Sequence, residues 1–86
     1  MPRTSRQSAL RRALLSVLAP LSGYLLPDDL LRIEAARLLL PAPTTAELDT
    51  EIRAADAARL LTGIPGEEST KWKITDAGRL WLAENP

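Results

Sequence analysis

Residues 60–82 read LLTGIPGEESTKWKITDAGRLWL and hold the signals for two strands, a turn and a short helix in succession. The turn-forming run IPGEES separates the two strand segments. Residues 70–75 then alternate, so that Trp72 and Ile74 share one face of a strand and the two lysines share the other. Asp76 is a suitable N-cap for a closing helix. The stretch therefore predicts a β-hairpin followed by a C-terminal helix.

Upstream of this stretch, apolar residues recur at helical spacing. A first helix is predicted over residues 8–19, ending at Pro20. A short extended link over residues 24–26 leads to a second helix over residues 28–39, which Asp28 or Asp29 can cap. Apolar residues surround much of this second helix, which indicates a central position in the packing. They are Leu30, Leu31, Ile33, Ala35, Leu38 and Leu40.

A third helix is predicted over residues 45–59, after a proline-rich connector. The sequence TTAE at residues 44–47 matches a capping box, in which the Thr44 hydroxyl and the Glu47 carboxylate each bond the other residue's backbone. The predicted inward face is Leu48, Ile52, Ala55 and Ala58. Asp49, Arg53 and Asp56 are placed on the opposite face, with Glu47 and Glu51 at its flank.

The composition excludes several chemistries. The 86 residues contain no Cys and no His, so a thiolate metal site, a Cys nucleophile and a His general base are all absent. The acidic residues are scattered over helix surfaces and match no calcium-binding loop. We therefore expect a protein that is not an enzyme and that uses no cofactor or metal. Trp72, Ile74, Leu80 and Trp81 are expected to form core rather than a ligand cage.

Charge is unevenly distributed although the net charge is zero. The first 20 residues hold four arginines and no acid, so they carry 4 − 0 = +4, and the remainder carries 7 − 11 = −4. Residues 1–7 are predicted to be a disordered basic arm, and residues 8–86 a single domain. Such an arm can bind a polyanion, or it can be a solvated terminus.

Residues 60–64 (LLTGI), the turn and residues 71–79 (KWKITDAGR) resemble the wing and exit helix of bacterial winged-helix proteins. In that family a strand ending in an Ile/Leu-Thr pair is followed by an acidic residue and Gly. The order of elements matches over nearly the whole chain, but the resemblance is specific only over about residues 59–82. It implies a mainly α fold: a three-helix core, an antiparallel wing of two or three strands, and a short C-terminal helix.

The resemblance also implies a DNA-binding regulator, with the third helix in the major groove and the wing over the phosphate backbone. Several candidate contacts also have a structural interpretation. Arg53 belongs to an ion-pair ladder with Asp49 and Asp56 in that interpretation, and Thr45 lies next to the capping residue Thr44. Lys71 and Lys73 keep the outer face of the strand solvated. The candidate nucleic-acid contacts are Arg3, Arg6, Arg11, Arg12, Thr45, Arg53, Lys71 and Lys73.

The charges favour an alternative. The third helix carries two cations against four acids, 2 − 4 = −2, and Glu67 and Glu68 lie at the wing tip. Since phosphate neutralisation supplies most of the affinity for DNA, the alternative is a protein-interaction or oligomerisation module on the same scaffold. The partner is thus double-stranded DNA or a protein. A homodimer through Leu15, Leu60 and the Trp81 helix is also open. With no apolar run of roughly 18 residues to span a bilayer, a soluble cytoplasmic location is expected.

Overall fold

A capping box fixes the start of the first helix. In the computed structural model, which describes residues 3–21 and 23–86, α1 spans Ser5–Leu18 with Thr4 as its N-cap. The Thr4 hydroxyl accepts from the Gln7 amide at 3.0 Å, and the Gln7 side chain accepts from the Thr4 amide at 2.9 Å. The helix begins three residues earlier than predicted. Residues 3–7 are therefore not the disordered arm that was expected, and residues 1 and 2 lie outside the described part of the chain.

The other elements follow the predicted order, but several boundaries differ, including the end of α3 at Ala57 rather than residue 59. Helix α2 stops at Ala36 rather than residue 39, and Pro27 occupies its N-cap position without a side-chain hydrogen bond. Asp28 and Asp29 instead lie in the first turn, where the helix dipole favours acids. Thr75, not Asp76, caps the last helix. The elements are β1 Leu26–Pro27, α2 Asp28–Ala36, α3 Thr45–Ala57, β2 Leu61–Ile64, β3 Lys71–Ile74 and α4 Asp76–Glu84.

Helix α3 has well-formed ends. The predicted capping box between Thr44 and Glu47 is present at its start. At its end, the Leu60 amide donates to the Ala55 carbonyl and the Arg59 amide to the Asp56 carbonyl. This is the Schellman pattern, whose turning residue has left-handed backbone angles and is usually Gly. Here that residue is Arg59, with φ of 61°.

The three strands form one antiparallel sheet in the order β1-β3-β2. Trp72 and Ile74 of β3 are buried and both lysines are exposed, so the predicted alternation is confirmed. Gly63 of β2 lies opposite Trp72. A Cβ atom there would lie 2.7 Å from the indole ring, so only Gly leaves room for Trp72. The sheet, the three preceding helices and α4 make up the predicted mainly α, winged-helix-like architecture.

The core lies between α1, α2, α3 and the inner face of the sheet. Leu15 and Leu60, expected to contribute to a dimer surface, are 0% and 7% exposed, so this prediction is wrong. Ala58 and Leu80 were predicted to face inward and are exposed. Only two residues of α2 are fully buried. The buried apolar residues are Leu10, Ala13, Leu14, Leu15, Leu18, Leu31, Ala35, Leu48, Ile52, Ala55, Leu60, Leu61, Trp72 and Ile74, with Trp81 packed against them.

Candidate interaction surfaces

Glu51 of α3 is buried and binds two arginines of the N-terminal segment. Its side chain was predicted to lie at the solvated flank of α3, but the residue is only 3% exposed. Arg11 Nε donates to Glu51 Oε2 at 2.8 Å, and Arg3 Nη2 donates to Oε1 at 2.6 Å. The Arg11 guanidinium also lies 5.7 Å from the ring centroid of Trp81 in α4. One carboxylate thus connects α1 to α3, and its arginine partner continues the connection to α4.

A second link joins the same two helices near the surface. Arg6 Nε donates to Glu47 Oε2 at 2.6 Å, and Arg6 Nη2 donates to the Pro41 carbonyl at 3.0 Å. The hydrogen bond from Arg6, followed by that from the Thr44 amide, lowers the pKa of Glu47 to about 2. The same hydrogen bond raises the pKa of Arg6. The capping carboxylate of α3 is therefore also an ion-pair partner of α1.

Three of the four N-terminal arginines predicted to bind nucleic acid are therefore bound within the chain. Arg3, Arg6 and Arg11 neutralise Glu47 and Glu51. Arg12 is half-buried and makes no ion pair with any residue that the structure describes. The basic segment thus contributes one unpaired arginine to the surface rather than four.

The ion-pair ladder predicted around Arg53 is not formed. Asp49 accepts instead from Arg32 Nη1 of α2 at 2.6 Å. Arg53 is exposed and has no ion-pair partner within residues 3–21 and 23–86. Of the four acids on α3, only Asp56 is left unpaired by the described residues. The outer surface of the helix is consequently much less acidic than its sequence.

Arg59 is a further exposed cation that the sequence pattern did not single out. Its backbone has the left-handed conformation at the end of α3, where an L-residue carries a steric cost. Among the described residues it has no ion-pair partner. Its only signal in the sequence is its position after α3, where Gly is usual. That position can be recognised only when the end of α3 is known. Arg53 and Arg59 are thus the two cations that the C-terminal half of α3 presents.

The remaining predicted contacts are accessible but are not gathered into one basic surface. Lys71 and Lys73 are exposed on the outer face of β3, and Thr45 is exposed at the first residue of α3. Lys71 also lines an open groove of about 800 Å³, whose walls include Asp29, Glu67 and Glu68. Three acids therefore line the same groove as this lysine. Its positive charge is offset where a phosphate would approach.

Exposed apolar side chains are concentrated in one segment. Six of the eight large exposed hydrophobic residues in the described chain lie within residues 24–40, which we call the apolar segment. The second helix is predicted to be apolar round much of its circumference and therefore central, but only one side of α2 is buried in the fold. The six are Tyr24, Leu25, Leu30, Ile33, Leu38 and Leu40, exposed by 74%, 37%, 44%, 48%, 59% and 92%.

Helix α2 has a distinct surface within this segment, which we call the α2 outer face. Asp29, Leu30, Ile33 and Arg37 are all exposed, and a 3.6-residue period places them within about a third of the helix circumference. Leu31 and Ala35, both 0% exposed, occupy the opposite side. Leu30 also borders the groove beside the wing. The outer face therefore has an apolar centre with an acid at one end and a base at the other.

No protein-family model, curated protein or solved structure matches this chain. The helices of residues 3–21 and 23–86 are all too short or too polar to cross a bilayer. Within the same residues, no three acidic side chains are gathered as ligands for a metal ion.

Proposed function

We propose that this chain is a non-enzymatic protein-interaction module on a winged-helix scaffold, with the apolar segment as its contact surface. The observation that carries the proposal is the concentration of six of eight exposed large hydrophobic side chains within residues 24–40. A patch of exposed apolar side chains on a folded protein marks a site of association, and Leu30 and Ile33 of this segment share the α2 outer face. Leu40, at 92% exposed, gains the most from such burial.

The charges support the same proposal. Arg3, Arg6 and Arg11 are occupied by carboxylates of α3. Removing them for phosphate binding would leave Glu51 buried without a partner, which is costly. The N-terminal segment therefore acts as internal structure in this proposal, and the accessible α2 outer face takes the partner.

The proposal is tested by site-specific photocrosslinking in the native cell. A benzoylphenylalanine replaces Ile33 on the α2 outer face, and the matched control replaces Leu80, which is 61% exposed on α4. We expect covalent products larger than the chain from position 33 and none of comparable yield from position 80. Equal yields from the two positions, or no product from either, would contradict the proposed surface.

DNA binding is the second candidate, and a specific observation favours it. Three of the four acids of α3 are neutralised by arginines of α1 and α2, while Arg53 and Arg59 have no ion-pair partner among the described residues. The repulsion of phosphate that the sequence of α3 suggests is therefore reduced. In this candidate, Arg53 and Arg59 contact the duplex together with Lys73 of the wing.

The two functions are separated by titration of mixed-sequence duplex DNA at low salt. If three cations neutralise three phosphates, the logarithm of the binding constant should fall with the logarithm of salt concentration with a slope of about −3. R53A and K73A should each make that slope shallower by about 1. The control R79A, on α4, should leave it unchanged. Absence of binding at low salt removes the DNA candidate and leaves the interaction module.

A further inference from the structure

The α2 outer face is complementary in charge to itself. Asp29 and Arg37 are placed four residues before and four residues after Ile33, which is about 6 Å along the axis in each direction. When two such helices cross antiparallel about a two-fold axis at Ile33, Asp29 of each copy lies opposite Arg37 of the other. A parallel arrangement would place like charges together. The face therefore favours one orientation of one partner.

From this geometry we infer that the partner of the α2 outer face is a second copy of the chain, docked antiparallel across Ile33. The inference rests on the proposed function and names the occupant of its surface. Ile33, 48% exposed, packs against its own symmetry mate. Such a contact is isologous, so the same residues serve both copies and the assembly closes as a dimer.

Asp29 and Arg37 make only exposed contacts within the chain, so each can exchange its partner for one on a second copy. Arg37 donates to Glu34 at 3.1 Å, but the two side chains are 70% and 46% exposed. A surface pair of this kind contributes little and is readily replaced. Asp29 accepts only from the adjacent Leu30 amide within the described residues. Neither charge must be removed from a buried partner when a second copy binds.

The apolar surface beyond α2 extends the contact. Nine residues of helix measure only about 13 Å, whereas a standard interface covers roughly 800 Å² on each partner. Tyr24 and Leu25 precede α2, while Leu38 and Leu40 follow it. Antiparallel docking brings the start of one α2 beside the end of the other, and we propose that the exposed Tyr24 and Leu25 at that start add to the contact. The shortness of α2 favours a small interface of the kind found in weak association, so we expect a reversible dimer that forms between about 10 μM and 1 mM.

Charge reversal tests the inference by sedimentation equilibrium of the full chain between 10 μM and 1 mM, with circular dichroism as the check on folding. D29R and R37D each place like charges opposite one another twice, and each should weaken self-association about tenfold or more. A mixture of the two restores opposite charges at both positions. We expect that mixture to form a heterodimer with about the affinity of the unmodified chain.

A second pair of variants tests the apolar centre. I33E should abolish the dimer, while L80E, which alters a leucine of α4 that is 61% exposed, should leave it intact. The inference is overturned if the unmodified chain remains monomeric at 1 mM, if D29R and R37D associate as well as it does, or if their mixture stays monomeric. The unmodified chain could also be monomeric and still form crosslinks from position 33 to a product that does not have twice its mass. That result overturns the homodimer alone. The proposed interaction surface would then stand.

Discussion

The Arg11 guanidinium and the Glu51 carboxylate lie 2.8 Å apart, both nearly buried, although 40 residues of sequence separate them. No buried side-chain nitrogen or oxygen in the described residues lacks a hydrogen-bond partner. The pair is satisfied, and its role is to hold α1 against α3 in a fixed register. Removing one partner destabilises the fold, because the other is then buried as an uncompensated charge.

Glu51→Ala should lower the free energy of unfolding by about 3–5 kcal/mol, as expected for a broken buried pair. Urea denaturation followed by circular dichroism measures the change. The control is Glu34→Ala, which removes the exposed partner of Arg37 and should cost about 0–1 kcal/mol. The double variant Arg11→Met/Glu51→Leu should recover much of the loss. Equal costs for Glu51→Ala and Glu34→Ala would refute a structural role for the buried pair.

Glu47 should make stability sensitive to acid. Its pKa is about 2 in the folded chain against an ordinary 4.5. A lowered pKa means that the ionised form stabilises the fold above about pH 4.5, and that this contribution is lost as pH falls toward 2. Glu47→Gln should therefore flatten the dependence of unfolding free energy on pH in that window. Glu67→Gln, at the exposed wing tip, should retain the slope of the unmodified chain; an unchanged slope in Glu47→Gln would contradict the assignment.

Gly78 should respond to alanine in the opposite sense from an ordinary helical glycine. Gly to Ala in a helix interior usually stabilises by about 0.5–1 kcal/mol. At this position a Cβ atom would overlap the Leu60 carbonyl oxygen, so α4 would have to move away from the residue that precedes β2. Gly78→Ala should destabilise by about 1–3 kcal/mol, as overpacking does. Ala83→Gly on the same helix is the matched control, with a loss of about 1 kcal/mol. Urea denaturation measures both changes, and a stabilised Gly78→Ala variant would contradict the assigned overlap.

Arg59→Gly should stabilise the fold by roughly 0.5–1 kcal/mol, since it relieves the left-handed conformation of an L-residue at a cost in chain entropy. Thermal unfolding measures this gain. Arg59→Ala keeps the steric cost and serves as the control, with no gain expected. The same variant also tests the DNA candidate. If Arg59 contacts phosphate, Arg59→Gly should bind duplex DNA more weakly than the unmodified chain. A destabilised Gly variant would contradict the assigned cost.

Local signals predicted the start of α3 and the buried face of β3 correctly. The capping box at Thr44 and Glu47 and the alternation around Trp72 depend only on residues a few positions apart, and both are present in the structure. The same reasoning would have placed the start of α1 correctly, because Thr4 and Gln7 have the spacing of a capping box. The basic composition of residues 1–7 instead suggested an unstructured arm.

The sequence pattern could not predict contacts between residues that are far apart in the chain. Glu51 has the helical position of a flank residue, and only the approach of Arg11 from 40 residues away explains its burial. Likewise, Ile33 and Leu30 are as apolar as core residues, but the side of α2 that packs is decided by α1 and the sheet. The surface of α3 is less acidic than its sequence suggests for the same reason, because Arg6 and Arg32 of other helices neutralise two of its acids.

The connection of α1 to α4 bears on how the chain reaches its fold during synthesis. Arg79 donates to the Ala19 carbonyl at 2.9 Å, across 60 residues of sequence, and Trp81 covers the Arg11 guanidinium. A nascent chain that has emerged only as far as α3 has Arg11 and Glu51 but not the aromatic ring that shields them. The first helix therefore acquires its full set of contacts only after α4 leaves the ribosome.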